Sequence, residues 1–478
     1  MNTFAILAPF RHRNPSAEHE PVHDAPALLV ASPRVVNLAR GWLWLGLAAL
    51  VLSGLYSILL VLARTPGINT WLPAGDFFRV ALVVHVDLSV LVWFVACAGM
   101  LWTLNLRDRA LGLARTALAL STFGTLVMAA APFVAPAAPV MANYIPVLDG
   151  PVFLAGLVLF GVGAALLTAH GLLAAPALGP GLGMEGAIRF GLNASVIAAA
   201  VAVLAFAASV WLTPRVDDAR MYYEILFWGG GHALQFVWTL LMLVGWVWLA
   251  FATGMVLPIS ARVLVILLLL ALLSVFVTPV AYLVAPVESV LHRDLHTWGM
   301  RFGGGLAILP IGLAVIVAWF RAGRTHAAAM APLRSALFAS MALFAAGGLI
   351  GVVIQGNNVR IPAHYHGCIV GVTLALMGLV YLLLPRFGLA APTGRLARWQ
   401  PLVYGLGQLL HIIGLVWSGG YGVQRKVAGS EQVLRTSSEV AGMGLMGLGG
   451  LIAIIGGLLF VIVVWQAFRG RRKDRASA

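Results

Sequence analysis

Apolar residues fall into long runs at roughly 41–63, 80–103, 112–133, 150–175, 187–212, 224–251, 260–284, 300–320, 333–355, 364–385, 400–420 and 441–467. A helix needs about 20 such residues to cross the hydrocarbon core of a bilayer. The pattern therefore predicts an all-α integral membrane protein with about twelve transmembrane helices. No soluble domain interrupts the runs, and the longest connections, 133–149 and 418–440, are too short to fold alone. Residues 1–35 are polar, contain Pro and His, and lack an apolar core, so they are expected to be an N-terminal cytoplasmic arm rather than a cleavable signal. Residues 36–467 are expected to form the membrane domain and 468–478 a basic tail. An even number of spans puts both termini on one side, and Arg469-Gly470-Arg471-Arg472-Lys473 marks that side as cytoplasmic in a bacterial-type inner membrane.

Composition agrees: of 478 residues, 61% are hydrophobic and 10% charged, with a mean hydropathy of +0.97. The net charge of +14 is scattered over short loops, for example Arg107, Arg109 and Arg115, or Arg386, Arg395 and Arg398. That distribution suits membrane topology and anionic lipid, not nucleic acid. The two cysteines, Cys97 and Cys368, lie in separate apolar runs and cannot form a Cys-based metal centre by themselves. Any soluble electron-carrying domain must belong to another subunit. Glycine clusters at 229–231, 303–305 and 447–450 point to close helix packing or, as the sharper reading, to the approach of a macrocycle.

The chemistry lies in the histidines. Among the twelve, His12, His19 and His23 fall in the polar arm, His170 and His326 in loops or helix ends, and His411 is alone in the eleventh run, where a hydrogen bond to a neighbouring helix is expected. His85, His232, His364 and His366 lie within, or at the head of, the second, sixth and tenth runs. Residues two apart on a helix are separated by about 200° and ~3 Å of rise, so His364 and His366 point to opposite flanks. One flank could share a heme with His85, giving a six-coordinate low-spin iron. The other could hold a five-coordinate heme whose open side points at His232.

Four segments resemble subunit I of the heme–copper oxidase superfamily, closest to the B-type oxidases and their nitric oxide reductase relatives. Ile361-Pro362-Ala363-His364-Tyr365-His366-Gly367 is similar to that family's tenth helix, and Leu226-Phe227-Trp228-Gly229-Gly230-Gly231-His232 to its sixth. Phe78-Arg79 through His85 to Trp93 resembles its second helix. Trp417-Ser418-Gly419 followed by Val423-Gln424-Arg425-Lys426 resembles its propionate-binding loop. The resemblance implies two hemes: His85 and His366 ligating a low-spin heme, His364 proximal to a high-spin heme, and His232 a ligand of a distal copper or iron. Arg425 and Lys426 would pair with propionates.

Two departures stand out. The family's seventh helix supplies adjacent histidines that complete the distal site, where this chain has Leu283-Val284. His292 and His296 share an i, i+4 face but lie past the expected point, so an interfacial turn is the expectation for them. Oxidases of the A and B types carry a tyrosine four residues after the sixth-helix histidine; Phe236 stands there, preceded by Gln235. Gln235 or Glu224 would take the part of the polar residue found in nitric oxide reductases, and Tyr282 is a candidate substitute phenol.

The resemblance implies the diheme subunit of a respiratory complex that reduces NO to N2O, in preference to O2 to water, with electrons from a cytochrome c or cupredoxin-type partner subunit. The alternative is a heme-binding membrane protein that has lost the distal copper and carries electrons or binds gas without reducing it.

Overall fold

A computed structural model describes residues 32–68, 75–178, 182–323, 328–356, 358–428 and 432–476. Among them are 12 helices long and apolar enough to cross a membrane. In chain order they are α1 (Pro33–Arg64), α2 (Phe77–Asn105), α3 (Leu111–Val134), α4 (Pro151–Ala174), α5 (Met184–Leu212) and α6 (Ala219–Ala252). The second half comprises α7 (Ala261–Val284), α8 (Val290–Arg321), α9 (Ala328–Val352), α10 (Arg360–Phe387), α11 (Arg395–Gly420) and α12 (Ser437–Gly470). Residues 1–31, the greater part of the polar arm, lie outside the described residues. The final helix continues through the basic segment to Ala476.

Burial sorts these helices. The most apolar stretch of α2 is 61% buried, that of α6 78% and that of α10 83%, while no other span exceeds 44%. The three innermost helices are those that carry His85, His232, and His364 with His366. Around them, large apolar side chains such as Phe133, Trp211 and Phe320 are exposed, as expected of residues that face lipid tails.

Lipid is as apolar as leucine, so helices in a bilayer gain little by burying apolar surface and rely on close packing. Glycine provides it here. A β-carbon on Gly367 of α10 would collide with the Gly347 backbone of α9, and one on Gly414 of α11 would lie 2.5 Å from the Gly442 carbonyl of α12. The three glycine clusters follow the packing expectation. Gly230 makes room for the Phe206 ring, Gly303 faces Ser274, and Gly450 faces Val61.

Two local features differ from the apolar runs. The eighth span begins at Val290, about ten residues before its run, because Ser289 caps the helix through its hydroxyl (3.2 Å from the His292 amide) and the first turns carry polar side chains. An apolar window passes over such a segment although it is helical. In α2, residues Asp87–Val92 form a π-helical turn that starts two residues after His85, and the Ser89 hydroxyl donates to the His85 carbonyl at 2.7 Å. Single π turns of this kind recur at functional positions.

The connection between α3 and α4 folds back as an antiparallel hairpin, β1 (Ala138–Val140) and β2 (Val147–Asp149), with Ala138 opposite Asp149 and Val140 opposite Val147. The six residues between the strands carry Asn143 and Tyr144 toward α6.

The α9–α10 contact can be tested directly. Gly367→Ala is expected to lower the thermal unfolding midpoint in detergent, by the ~1–3 kcal/mol typical of overpacking. Gly348→Ala, whose β-carbon would meet nothing within 4 Å, should not. Equal midpoints for the two variants would rule out the close approach.

Candidate functional site

A histidine that serves a metal commonly has one ring nitrogen held by another group, which fixes its tautomer and direction. The inner histidines are held through Nδ1. His85 Nδ1 lies 3.0 Å from the Ser53 carbonyl and 2.9 Å from its hydroxyl on α1. His364 Nδ1 is 2.8 Å from the Gly347 carbonyl, and His366 Nδ1 is 2.8 Å from the Pro362 carbonyl one turn back. His232 Nδ1 lies 2.8 Å from the Trp228 carbonyl, and His296 Nδ1 2.8 Å from that of His292. A carbonyl oxygen can only accept, so each Nδ1 carries the hydrogen and each Nε2 keeps a bare lone pair. His170 is bonded the other way round, through Nε2 to the Arg109 carbonyl at 3.0 Å.

His85, His366 and His411 form one group. His411 bonds the Met446 carbonyl on α12 through Nδ1 at 3.0 Å, the expected bond to a neighbouring helix. Its ring also lies 4.9 Å from that of His366, and His85 is near enough to interact with both electrostatically.

A second group surrounds His232, and here the interfacial expectation for His292 and His296 is corrected. Both are buried, at 1% and 3% exposure. The His296 ring lies 5.4 Å from His232 and 4.6 Å from His292. They enter because α8 starts early, and their i, i+4 spacing puts both rings on its inner face. Leu283 and Val284 are 85% and 59% exposed, so the end of α7 turns its side chains outward at the point where the family pattern has histidines. Tyr282, one residue earlier, points inward. Its hydroxyl is 2.6 Å from the Ser209 hydroxyl, and its ring packs on His292 at 4.7 Å. Phe236 is buried, and Gln235 lines a cavity of about 20 Å³ with Asp87, Tyr144 and Gly231.

Sequence reasoning passed over two of these residues. Asp87 is buried in the π turn, and neither carboxyl oxygen has a partner among the described residues. A lone acid in the run VVHVDLSVL is the signal that marks it. Tyr144 has no such signal, since it sits in an ordinary loop. Its hydroxyl lies 2.9 Å from His232 Nε2, and its ring packs against Trp228 and His232. Burial raises its phenol well above the ordinary range, so it is the donor in that bond.

A polar layer covers this group. Asn143 donates to the Glu224 carboxylate at 3.0 Å, and the Lys426 ammonium reaches the Met141 carbonyl at 2.5 Å and Asn143 Oδ1 at 3.4 Å. Arg425 bonds the Tyr365 hydroxyl. Lys426 adopts a left-handed backbone (φ 63°), uncommon outside glycine, with its ammonium against the hairpin while Arg425 meets Tyr365 at the head of α10.

A family model described as Cytochrome C and Quinol oxidase polypeptide I matches residues 37–459. The chain belongs to this family. It is a heme–copper oxidase subunit I-like integral membrane protein, and members of the family are heme-binding oxidoreductases. An uncharacterized protein of Rickettsia prowazekii is 31% identical, with 89% of this chain and 95% of that protein covered. One from Aquifex aeolicus is 28% identical, over 75% of this chain and 88% of its own length. The cryo-EM structure of a heme-copper terminal oxidase dimer has the same fold, with a TM-score of 0.72 at 18% identity, covering 91% of this chain and 84% of that one.

The subunit I-like chain fits heme at His85, His364 and His366, whose Nδ1 tethers leave Nε2 for iron. The distal side is different. Among the described residues, no three His, Cys, Asp or Glu side chains are arranged to hold a metal as they stand.

Burial, reinforced by Arg425, lowers the Lys426 ammonium to about 8. An unfolded lysine titrates near ~10.4, so between these values the unfolded chain binds more protons and stability rises with pH. Below the lower value, both states are charged and the burial cost is fully present. In Lys426→Met, the rise of the unfolding midpoint between about pH 8 and pH 10.5 should disappear. An identical rise in the variant would assign it to another group.

Proposed function

We propose that this chain is the diheme, gas-reducing subunit of a respiratory complex, with NO reduced to N2O in preference to O2 to water. The observation that carries the reading is the pair His364 and His366, tethered through Nδ1 to Gly347 and Pro362, with His85 held by Ser53 in the same way. On helical geometry one side of α10 serves the low-spin heme, with His85 as second ligand, and the other the high-spin heme. Bound there, the hemes supply electron transfer and gas binding.

The side chains supply the rest. Ser53 fixes the His85 ring from two atoms, which resists rotation as charge on the neighbouring group changes. The Gly347 carbonyl holds His364 from α9, so the proximal ligand is set by a helix contact rather than by its own helix. Arg425 and Lys426 offer positive charge to buried carboxylates. His232, with His296 beside it, faces the open side. Reducing two NO to N2O and water consumes two electrons and two protons; the electrons come from a partner subunit of cytochrome c or cupredoxin type.

Phe236 in place of the oxidase tyrosine favours NO over O2. The alternative of a heme protein without a distal metal rests on Leu283 and Val284; against it, His292 and His296 place two imidazole rings beside His232.

A reduced-minus-oxidised spectrum with and without CO should show one low-spin and one CO-reactive high-spin heme. His85→Ala should remove the low-spin signal and His364→Ala the CO-reactive one; no heme in the purified wild type would sink the proposal. His232→Ala should retain both hemes while NO consumption falls at least about 100-fold, the scale of losing one electrostatic contribution at a reacting centre. Unchanged turnover would remove His232 from the mechanism.

A further inference from the structure

A cavity of about 790 Å³ opens at the end of the bundle that carries the polar layer of Asn143, Glu224 and Lys426. Phe77, Arg79 and Val80 at the head of α2 form one wall, residues 136–141 of the hairpin form another, and Arg220 at the head of α6 completes it. This volume lies in the range of a ligand site, far above that of a water pocket. Among the described residues that line it, eight are apolar, two are arginines and none is acidic, so the cavity suits an anionic amphiphile.

The charge nearby has the same sign. Arg220, Arg425 and Lys426 all act on the Glu224 carboxylate, which they outnumber. Asp149 of the hairpin and Asp218 at the cap of α6 lie outside the lining, where they take the Tyr223 hydroxyl and the Met221 amide, both at 2.8 Å.

The apolar part leads to lipid. Phe133 and Val134, the last residues of α3, are 78% and 71% exposed, and the wall begins two residues later at Pro136. Phe77 on the facing wall is exposed as well. An extended protein segment suits the place less. Among the described residues β1 pairs only with β2, so its second edge is open, but Pro139 in the middle of β1 has no N–H to donate to an added strand.

We propose that this cavity binds the headgroup of an anionic phospholipid, its phosphate held by Arg79 and Arg220 and its acyl chains running out past Phe77 and the end of α3. Guanidinium suits phosphate because its N–H groups fork onto two oxygens. The hairpin is a shared wall: β1 lines the cavity, and the turn after it carries Tyr144 to His232. A bound headgroup therefore supports, from outside, the loop whose inner residue meets the open side.

The test uses the full-length protein in nanodiscs, with phosphatidylglycerol as the probe and phosphatidylcholine as the neutral comparison. Native mass spectrometry should find phosphatidylglycerol bound in preference to phosphatidylcholine. Arg79→Gln and Arg220→Gln should each weaken it about fivefold, the scale of one basic residue at a charged headgroup, and both together about 25-fold. Arg398→Gln, near the head of α11 and so at the other end of the bundle, should bind as wild type does. Phosphatidylglycerol bearing a diazirine should label residues 77–80 and 136–141. Hydrogen exchange of residues 138–148 should be slower with phosphatidylglycerol than with phosphatidylcholine alone; exchange that ignores the headgroup would remove the support given to the hairpin. Equal affinity for the two lipids, unchanged affinity in the double variant, or label confined to other segments would overturn the site. So would a photoreactive amino acid in place of Phe77 that labels a partner polypeptide, rather than lipid, in native membranes.

Discussion

The functional core depends on one repeated interaction, an imidazole Nδ1–H donated to a backbone carbonyl. Each such bond contributes only about 0.5–1.5 kcal/mol net. Its effect on direction is larger than its energy. With Nδ1 engaged the ring has one tautomer and one orientation, and Nε2 is presented as a lone pair at a defined point. His85, His232, His296, His364, His366 and His411 all use it. His170, bonded through Nε2 to the Arg109 carbonyl, does not.

That constraint ties the chemistry to the helix packing. Three tethers, on His232, His296 and His366, lie within the histidine's own helix, but those on His85, His364 and His411 come from α1, α9 and α12. The Gly347 carbonyl can reach His364 only because Gly347 and Gly367 bring the two backbones into contact. In a bilayer, such close approach replaces the hydrophobic drive that would hold helices together in water. The same glycines that stabilise the bundle therefore set the angle of a ligand, and a change at Gly347 or Gly367 acts on stability and chemistry together.

The fold was legible because its signal is long and redundant: twelve apolar runs give twelve helices, and the deepest three carry the diagnostic histidines. His364-Tyr365-His366 was legible for a related reason, since imidazoles are costly in an apolar helix and need a partner. His292 and His296 were hidden by their surroundings. Arg293, Asp294 and Thr297 make the segment polar, and a polar segment beside an apolar run looks like a loop, although Ser289 caps a helix there. Tyr144 was not legible at all, because its role comes from a hairpin that folds back across the bundle, a contact between residues 88 apart.

At the distal side the departure from the family pattern comes with a second pair of imidazoles. At the end of α7, Leu283 and Val284 face outward, while Tyr282 points in. One turn into α8, two imidazoles occupy the space beside His232. Histidines brought in from a different helix approach His232 from another direction, so the three nitrogens cannot reproduce a site in which two ligands are chain neighbours. The Tyr144 hydroxyl stands against His232 Nε2 instead, and Gly231 is the residue on α6 that makes room for its ring. The glycine before His232 and the hairpin tyrosine are thus two halves of one arrangement, since either alone would leave His232 Nε2 without its neighbour.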